Sequence, residues 1–272
     1  MLFQRLIWCS FAVALLLGSI QSVFQQFQTV PIILAAEVFE GEKVEPAQAV
    51  AAPAPAQAAA HDHAAGAAHS HEAEAWTPAD GFERNAWTWV ANVLHAFSMA
   101  LLVFAVIGAW VYRRGAATST FKLAFAVAAA GWLSIHFWPS LGLHAEIPGM
   151  DAARLGSRQG WWVLAAVSAA AACAVVGFGT RTWRFALAAA LLALPFVVGA
   201  PHLVGDPLAG FSGPARATLE ELGRQFIWAT TWLSISFWGL MGLFSALAYA
   251  RWLKPVLPVQ AANASPAVST AA

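Results

Sequence analysis

FKLAFAVAAAGWLSIHFWPSLGLHAEIPGM, residues 121–150, is the stretch from which the fold is read. Up to residue 139 it is almost wholly apolar, close to the roughly 20 helical residues that cross a hydrocarbon core of about 30 Å. It then breaks at Pro139 into an island carrying His144, Glu146, Pro148 and Gly149. A long apolar helix that ends in titratable side chains reads as a membrane span with its polar end at an edge, because such groups are costly deeper in lipid.

The same pattern repeats outward in both directions. Further apolar runs lie near 6–28, 86–112, 160–180, 183–202 and 226–250, interrupted by AWTPADGFERNAW (75–87), LGSRQGWW (155–162) and LPFVVGAPHLVG (194–205). With 60% hydrophobic and only 10% charged residues, the 272-residue chain falls outside the range of ordinary soluble domains. The expected fold is an all-α integral membrane protein, a polytopic bundle of about six (five to six) transmembrane helices in a lipid bilayer. Trp87, Trp89, Trp110, Trp138, Trp161, Trp162, Trp183 and Trp252 fall near the span ends, where an indole buries its ring and keeps its N–H wet.

Charge placement orients the bundle. With the N-terminus inside, Arg5, Arg113, Arg114, Lys122, Arg181, Arg184, Arg251 and Lys254 fall on the inner side with no acidic residue, a net +8. All 14 acidic side chains fall outside with the other six basic ones, a net −8. That asymmetry follows the positive-inside rule and predicts both termini cytoplasmic. The overall charge of zero conceals the separation and leaves no basic surface for nucleic acid.

Residues 1–40 are expected to form the first transmembrane helix, uncleaved, with its external end. A disordered Ala/Pro/His-rich periplasmic loop (41–84), a five-helix membrane bundle (85–252) and a disordered cytoplasmic tail (253–272) follow. The loop contains PAQAVAAPAPAQAAA, which cannot bury enough apolar surface to offset its ordering entropy. A rival reading takes Arg5 and the apolar run behind it as a secretory leader cleaved near Leu34-Ala35-Ala36. Against it, Gln21, Gln25 and Gln28 recur at four and three residues, putting three amides on one helix face that must meet protein or water.

Cys9 and Cys173 sit in separate spans, which leaves no disulfide framework or cysteine metal site. There is no GxxxxGK[ST] phosphate loop and no HExxH spacing, so neither an ATPase nor a zinc hydrolase is indicated. Histidine with carboxylate is the remaining chemistry. His61, His63, His69 and His71 make two H-x-H pairs beside Asp62, Glu72 and Glu74, a donor set suited to borderline divalent ions or, equally, a solvated spacer. Asn85, Thr88, Asn92 and His95 form a polar stripe on the second span that is expected to face the bundle interior. His95 would be a mid-membrane ligand or an interhelical hydrogen-bonding group. His136, His144, Glu146, His202, Glu37 and Glu40 all fall at outer span ends, a composition from which a divalent-ion entry site can be built. Arg158 and Gln159 before Trp161-Trp162 read as an anchor with cation–π packing.

AEVFE (36–40) after a glutamine-bearing span, the His-rich loop, WTPADGFER (76–84), HFWPSLGLHAEIPGM (136–150), LGSRQGWW and LPFVVGAPHLVG together resemble the CbtA family of proposed cobalt transporter subunits, in the same order from residue 1 to about 252. The resemblance implies a multi-pass inner-membrane protein linked to cobalamin biosynthesis. It also implies a small single-span His-rich partner (CbtB-like). No permanently bound cofactor is expected. Co²⁺ is the favoured cargo, with Ni²⁺ or Zn²⁺ as alternatives. Glu37, Glu40, His136, Glu146 and His202 occupy positions matched to the family pattern, and the spacer around His61–His71 matches in character only. Family members are described with about five spans against six counted here. The function expected is a membrane subunit for divalent-metal uptake; the alternative is an accessory metal-buffering or assembly protein without transport of its own.

Overall fold

In the first span, apolar side chains recur at 9, 13, 14 and 17, and in the second at 96, 100, 103, 104 and 107; these three- and four-residue steps mark one buried helical face each. The computed structural model describes residues 2–43, 78–115 and 119–256, and every regular element among them is helical. Helix α1 (Leu2–Gln28) continues through a break at Thr29 into α2 (Val30–Glu37); α3 (Phe82–Arg114) is followed by α4 (Thr120–Trp132). A π-turn at Leu133–Phe137 joins α4 to the single turn α5 (Trp138–Ser140). Then come α6 (Leu155–Phe178), α7 (Arg184–Val198) and α8 (Gly213–Ala248), the last running into a π-turn at Tyr249–Leu253. The His-rich spacer and the tail beyond residue 256 lie outside the described residues.

One core joins α1, α3, α4 and α8 through Leu17, Phe104, Ala124 and Met241, while α6 packs on α7 and on the π-turn after α4. Lipid is as apolar as leucine, so close packing and hydrogen bonds hold such helices together. At Gly18 a Cβ would stand 2.7 Å from the Val93 Cα, so α1 and α3 approach at a distance only glycine permits. Beside this contact Gln25 and Asn92 exchange amide hydrogen bonds at 3.2 and 2.8 Å, Asn92 also donates to Ser22, and Gln26 donates to Asn85. Gln21 donates to the Leu233 carbonyl of α8 at 2.8 Å. Of the three expected amides, Gln21 and Gln25 turn into the bundle and Gln28 is exposed, its place taken by Gln26.

Among the described residues five helices, the lower end of the five to six expected, are long and apolar enough to cross a membrane: Phe3–Gln28, Phe82–Arg114, Thr120–Ser140, Leu155–Phe178 and Gly213–Leu253. The run expected at 183–202 makes only the 15-residue α7, roughly 22 Å long, because Gly199 at φ 88° and Pro201 stop the helix. α7 packs along α6, and the Trp161 indole near the start of α6 bonds the Pro195 carbonyl near the end of α7. The far end of α7 meets a cap in which Ala36, Ile147, Leu208, Phe211 and Leu219 cluster, uniting the ends of α2, α5 and α7 with the start of α8. Lys43–Asp151 at 2.6 Å and the Asp151 N–H to the Pro207 carbonyl at 2.7 Å tie the same loops. At the opposite end Arg114 donates to the carbonyls of Gly177, Phe178 and Gly179, just before α7 begins.

Candidate metal-binding cleft

Pro139 has no N–H to give the Ile135 carbonyl and its ring crowds that position, so a regular helix cannot run through it. The chain widens instead, and the Trp138 N–H bonds the Leu133 carbonyl five residues back. This π-turn carries His136, half-buried, with Trp132 beside its ring at 6.4 Å. π-turns within α-helices occur frequently at functional sites.

His136 opens into a cleft of about 840 Å³ between the end of α4, the turn after α5, the start of α6 and the middle of α8. Its polar lining is His136, Ser140, His144, Arg158, Gln159 and the Thr230-Thr231 pair. The His144 Nδ1 lies 2.8 Å from the Ser140 carbonyl. A carbonyl only accepts, so Nδ1 carries a proton, and the tautomer this selects leaves the lone pair on Nε2, the arrangement of a metal-ligating imidazole whose other nitrogen is fixed by an outer partner. Ser140, Thr230 and Thr231 donate to backbone carbonyls of their own helices, leaving oxygen lone pairs for the cleft. Glu146 binds Arg158 at 2.5 Å, while the Arg158 Nε is buried without a hydrogen-bond partner among the described residues.

Of the expected site residues, the cleft thus gathers His136 and His144, with Glu146 held behind it by Arg158. The others lie elsewhere. Glu37 is clamped by Arg84, Glu40 is exposed at the start of a 3₁₀ turn, and His202 is exposed on the loop after α7. Downstream on that loop, the Arg216 guanidinium and the Leu208 N–H hold the Asp206 carboxyl below the usual carboxylate range. The expectation that the Asn85–His95 stripe faces the interior holds only in part: Asn85 and Asn92 bond α1, whereas His95 does not turn inward. The buried face of α3 follows Val93, Ala96 and Ala100, one residue and hence about 100° away, which puts the stripe on the flank. Asn92 is spent on α1, and His95 is exposed with its ring 5.1 Å from Phe237. Among the described residues no three His, Cys, Asp or Glu side chains are grouped to hold a metal ion; His61, His63, His69 and His71 lie outside them.

Arg158, Gln159, Thr230 and Thr231 were not anticipated as site residues. Arg158 reaches Glu146 rather than an aromatic ring, a partner no local spacing announces. The signal for Thr230-Thr231 was two adjacent hydroxyls inside an apolar span. No curated protein and no solved structure matches the chain. The model of the CbtA family, described as "Probable cobalt transporter subunit (CbtA)", matches residues 3–250. The chain therefore belongs to the CbtA family.

Proposed function

We propose that the chain is the membrane-embedded subunit that admits Co²⁺ inward from the outer face, with the cleft as its first binding station. The observation that carries this is the pairing of His136 and His144 on one cleft, His144 with Nδ1 occupied and Nε2 free. Two imidazoles, with water completing the ion's shell, hold a divalent ion loosely. A conducting site needs that weakness, since an ion bound too well does not leave. Imidazole also suits Ni²⁺ and Zn²⁺, and preference between them rests on geometry and supply. The H-x-H pairs at 61–71 would raise the ion's local concentration, as expected from their composition. Charge sorting puts the cleft end outside and both termini in the cytoplasm of an inner-membrane protein with six passes.

A partner subunit fits two observations. The cleft lacks a third protein ligand of the carboxylate or imidazole type among the described residues, and His95 is exposed on a span flank where bare lipid would be a costly neighbour. A small His-rich single-span protein supplies both needs, in keeping with supply of cobalt to cobalamin biosynthesis. The alternative of a buffering accessory protein gives a different outcome in one experiment: cobalt uptake by purified protein in sealed vesicles, with and without the partner. Uptake is expected, and the His136→Ala/His144→Ala variant at normal abundance is expected to lose about tenfold or more. Wild-type uptake by that variant removes the cleft from the path; cobalt binding without uptake under either condition leaves the accessory role.

A further inference from the structure

At the end of the bundle opposite the cleft, a second pocket of about 550 Å³ lies between the ends of α3 and α6 and the start of α7. Arg113, Arg181 and Arg184 line it, with Phe178 and Trp183 as apolar walls, and Arg114 stands beside it. No Asp or Glu occurs in 2–36, 85–145, 152–205 or 222–272, so no element reaching this end brings a carboxylate.

The arginines have an ordinary role to be set against a ligand. Helix C-termini carry about half a negative charge each, and Arg114 and Arg184 do bind the carbonyls at the end of α6. The ends of α3 and α6 together offset about one of the four positive charges, and about three remain uncompensated. Arg184 also stands in the first turn of α7, where the helix dipole repels a cation. Its Nη1 bonds the Gly179 carbonyl, yet its Nε is buried with no hydrogen-bond partner among the described residues, a donor that costs free energy unless an acceptor arrives. Ring contacts hold the guanidinium groups in place: Arg113 over Phe178 at 5.8 Å, Arg114 over Trp110 at 5.4 Å and Arg184 over Phe185 at 4.7 Å.

We propose that this pocket binds the phosphate head of an anionic phospholipid in the leaflet at that end. A guanidinium cluster without carboxylates recognises phosphate, and basic pockets between membrane helices on the cytoplasmic side bind anionic head groups. A lipid is favoured over soluble phosphate because the pocket opens between apolar surfaces with nothing else among the described residues to cover them. Trp183 is 58% and Phe185 55% exposed on one flank and Val176 is 37% exposed on the other, where acyl chains would lie. The site is separate from the metal cleft and stands whether or not that reading holds.

Native mass spectrometry of the detergent-purified full chain, titrated with phosphatidylglycerol, phosphatidylcholine or inorganic phosphate, tests it. Phosphatidylglycerol adducts are expected to be retained in preference to phosphatidylcholine. Arg113→Gln/Arg181→Gln is expected to weaken phosphatidylglycerol about thirtyfold, two surface cations' worth, while Arg224→Gln at the other end leaves it unchanged. Neither Arg113 nor Arg181 is among the arginines that cap the end of α6, and an unchanged thermal midpoint certifies the fold; Arg181→Gln alone, expected to be about fivefold weaker, gives a second reading if the double variant is unstable. Equal retention of the two lipids, or phosphatidylglycerol binding indifferent to these arginines, overturns the proposal. Displacement of the lipid by millimolar phosphate that itself binds as tightly assigns the pocket to a soluble anion and overturns it as well.

Discussion

Arg84 grips the Glu37 carboxylate with both terminal nitrogens, at 2.7 and 3.4 Å, and reaches Asp80 at 3.2 Å. Both oxygens of Glu37 are therefore engaged, and the pair, about a third exposed, fastens the end of α2 to the start of α3. An ion pair this accessible is worth about 0.2–1 kcal/mol. Glu37→Gln is accordingly expected to lower the thermal midpoint slightly and leave cobalt uptake within about twofold, and the swap Glu37→Arg/Arg84→Glu to recover the midpoint. A tenfold loss of uptake at an unchanged midpoint would make Glu37 a ligand instead. The kinds of residue at the site were legible in the sequence, since a histidine or glutamate at a membrane edge stands out from apolar neighbours. Their partners were not. Glu37 and Arg84 are brought together by two helices and a long loop, and Glu146 and Arg158 by a turn whose path no periodicity records.

A helix can be legible while the feature that aims its side chains is hidden. The apolar pattern of 121–139 announces a span, and Pro139 announces its end, but a π-turn adds a single residue to a helix and leaves the pattern almost unchanged. That added residue rotates the remainder of the helix by about 100°, and His136 sits inside the turn. Pro139→Ala returns an N–H to the Ile135 carbonyl and allows α4 to run on as a regular helix into α5. Proline within a helix costs about 3 kcal/mol, so the variant is expected to be at least as stable as the parent. Its cobalt uptake is expected to fall about fivefold or more, because His136 would leave the wall it shares with His144. Uptake and thermal midpoint measured on the same preparation decide: a stabilised protein with full uptake would show that the π-turn does not position His136. The polar stripe on α3 carries a related lesson. Periodicity placed Asn85, Asn92 and His95 on one face correctly, but the face that packs is fixed by Gly18 meeting Val93, which is a property of two helices and not of one.

For the molecule as a whole, the charges and the chain path speak to one topology. Sequence alone separated a side with no carboxylates from a side with all of them, and among the described residues the structure puts Arg114 with Gly177–Gly179 and the start of α7 at one end of the bundle, and the Lys43–Asp151, Arg158–Glu146 and Arg216–Asp206 pairs at the other. The length of α7 was harder to foresee. Its apolar run is long enough, yet Gly199 and Pro201 stop the helix, and the Trp138 and Trp161 indole N–H groups bind the Leu192 and Pro195 carbonyls near its end at 3.0 and 2.9 Å. Those bonds let backbone leave the helix while still flanked by protein, the circumstance in which irregular structure is tolerated at membrane depth. A helix of roughly 22 Å crossing a core of about 30 Å also implies a locally thinned bilayer or extended flanking residues, at a modest cost per ångström. Reporters active on only one side of the membrane, fused after residues 60, 203 and 260, test the arrangement. The first two are expected on the outer side and the third in the cytoplasm. If 203 instead reports with 260, α7 turns back within the membrane, the cap joining Ile147 to Leu208 cannot form, and the six-pass arrangement fails.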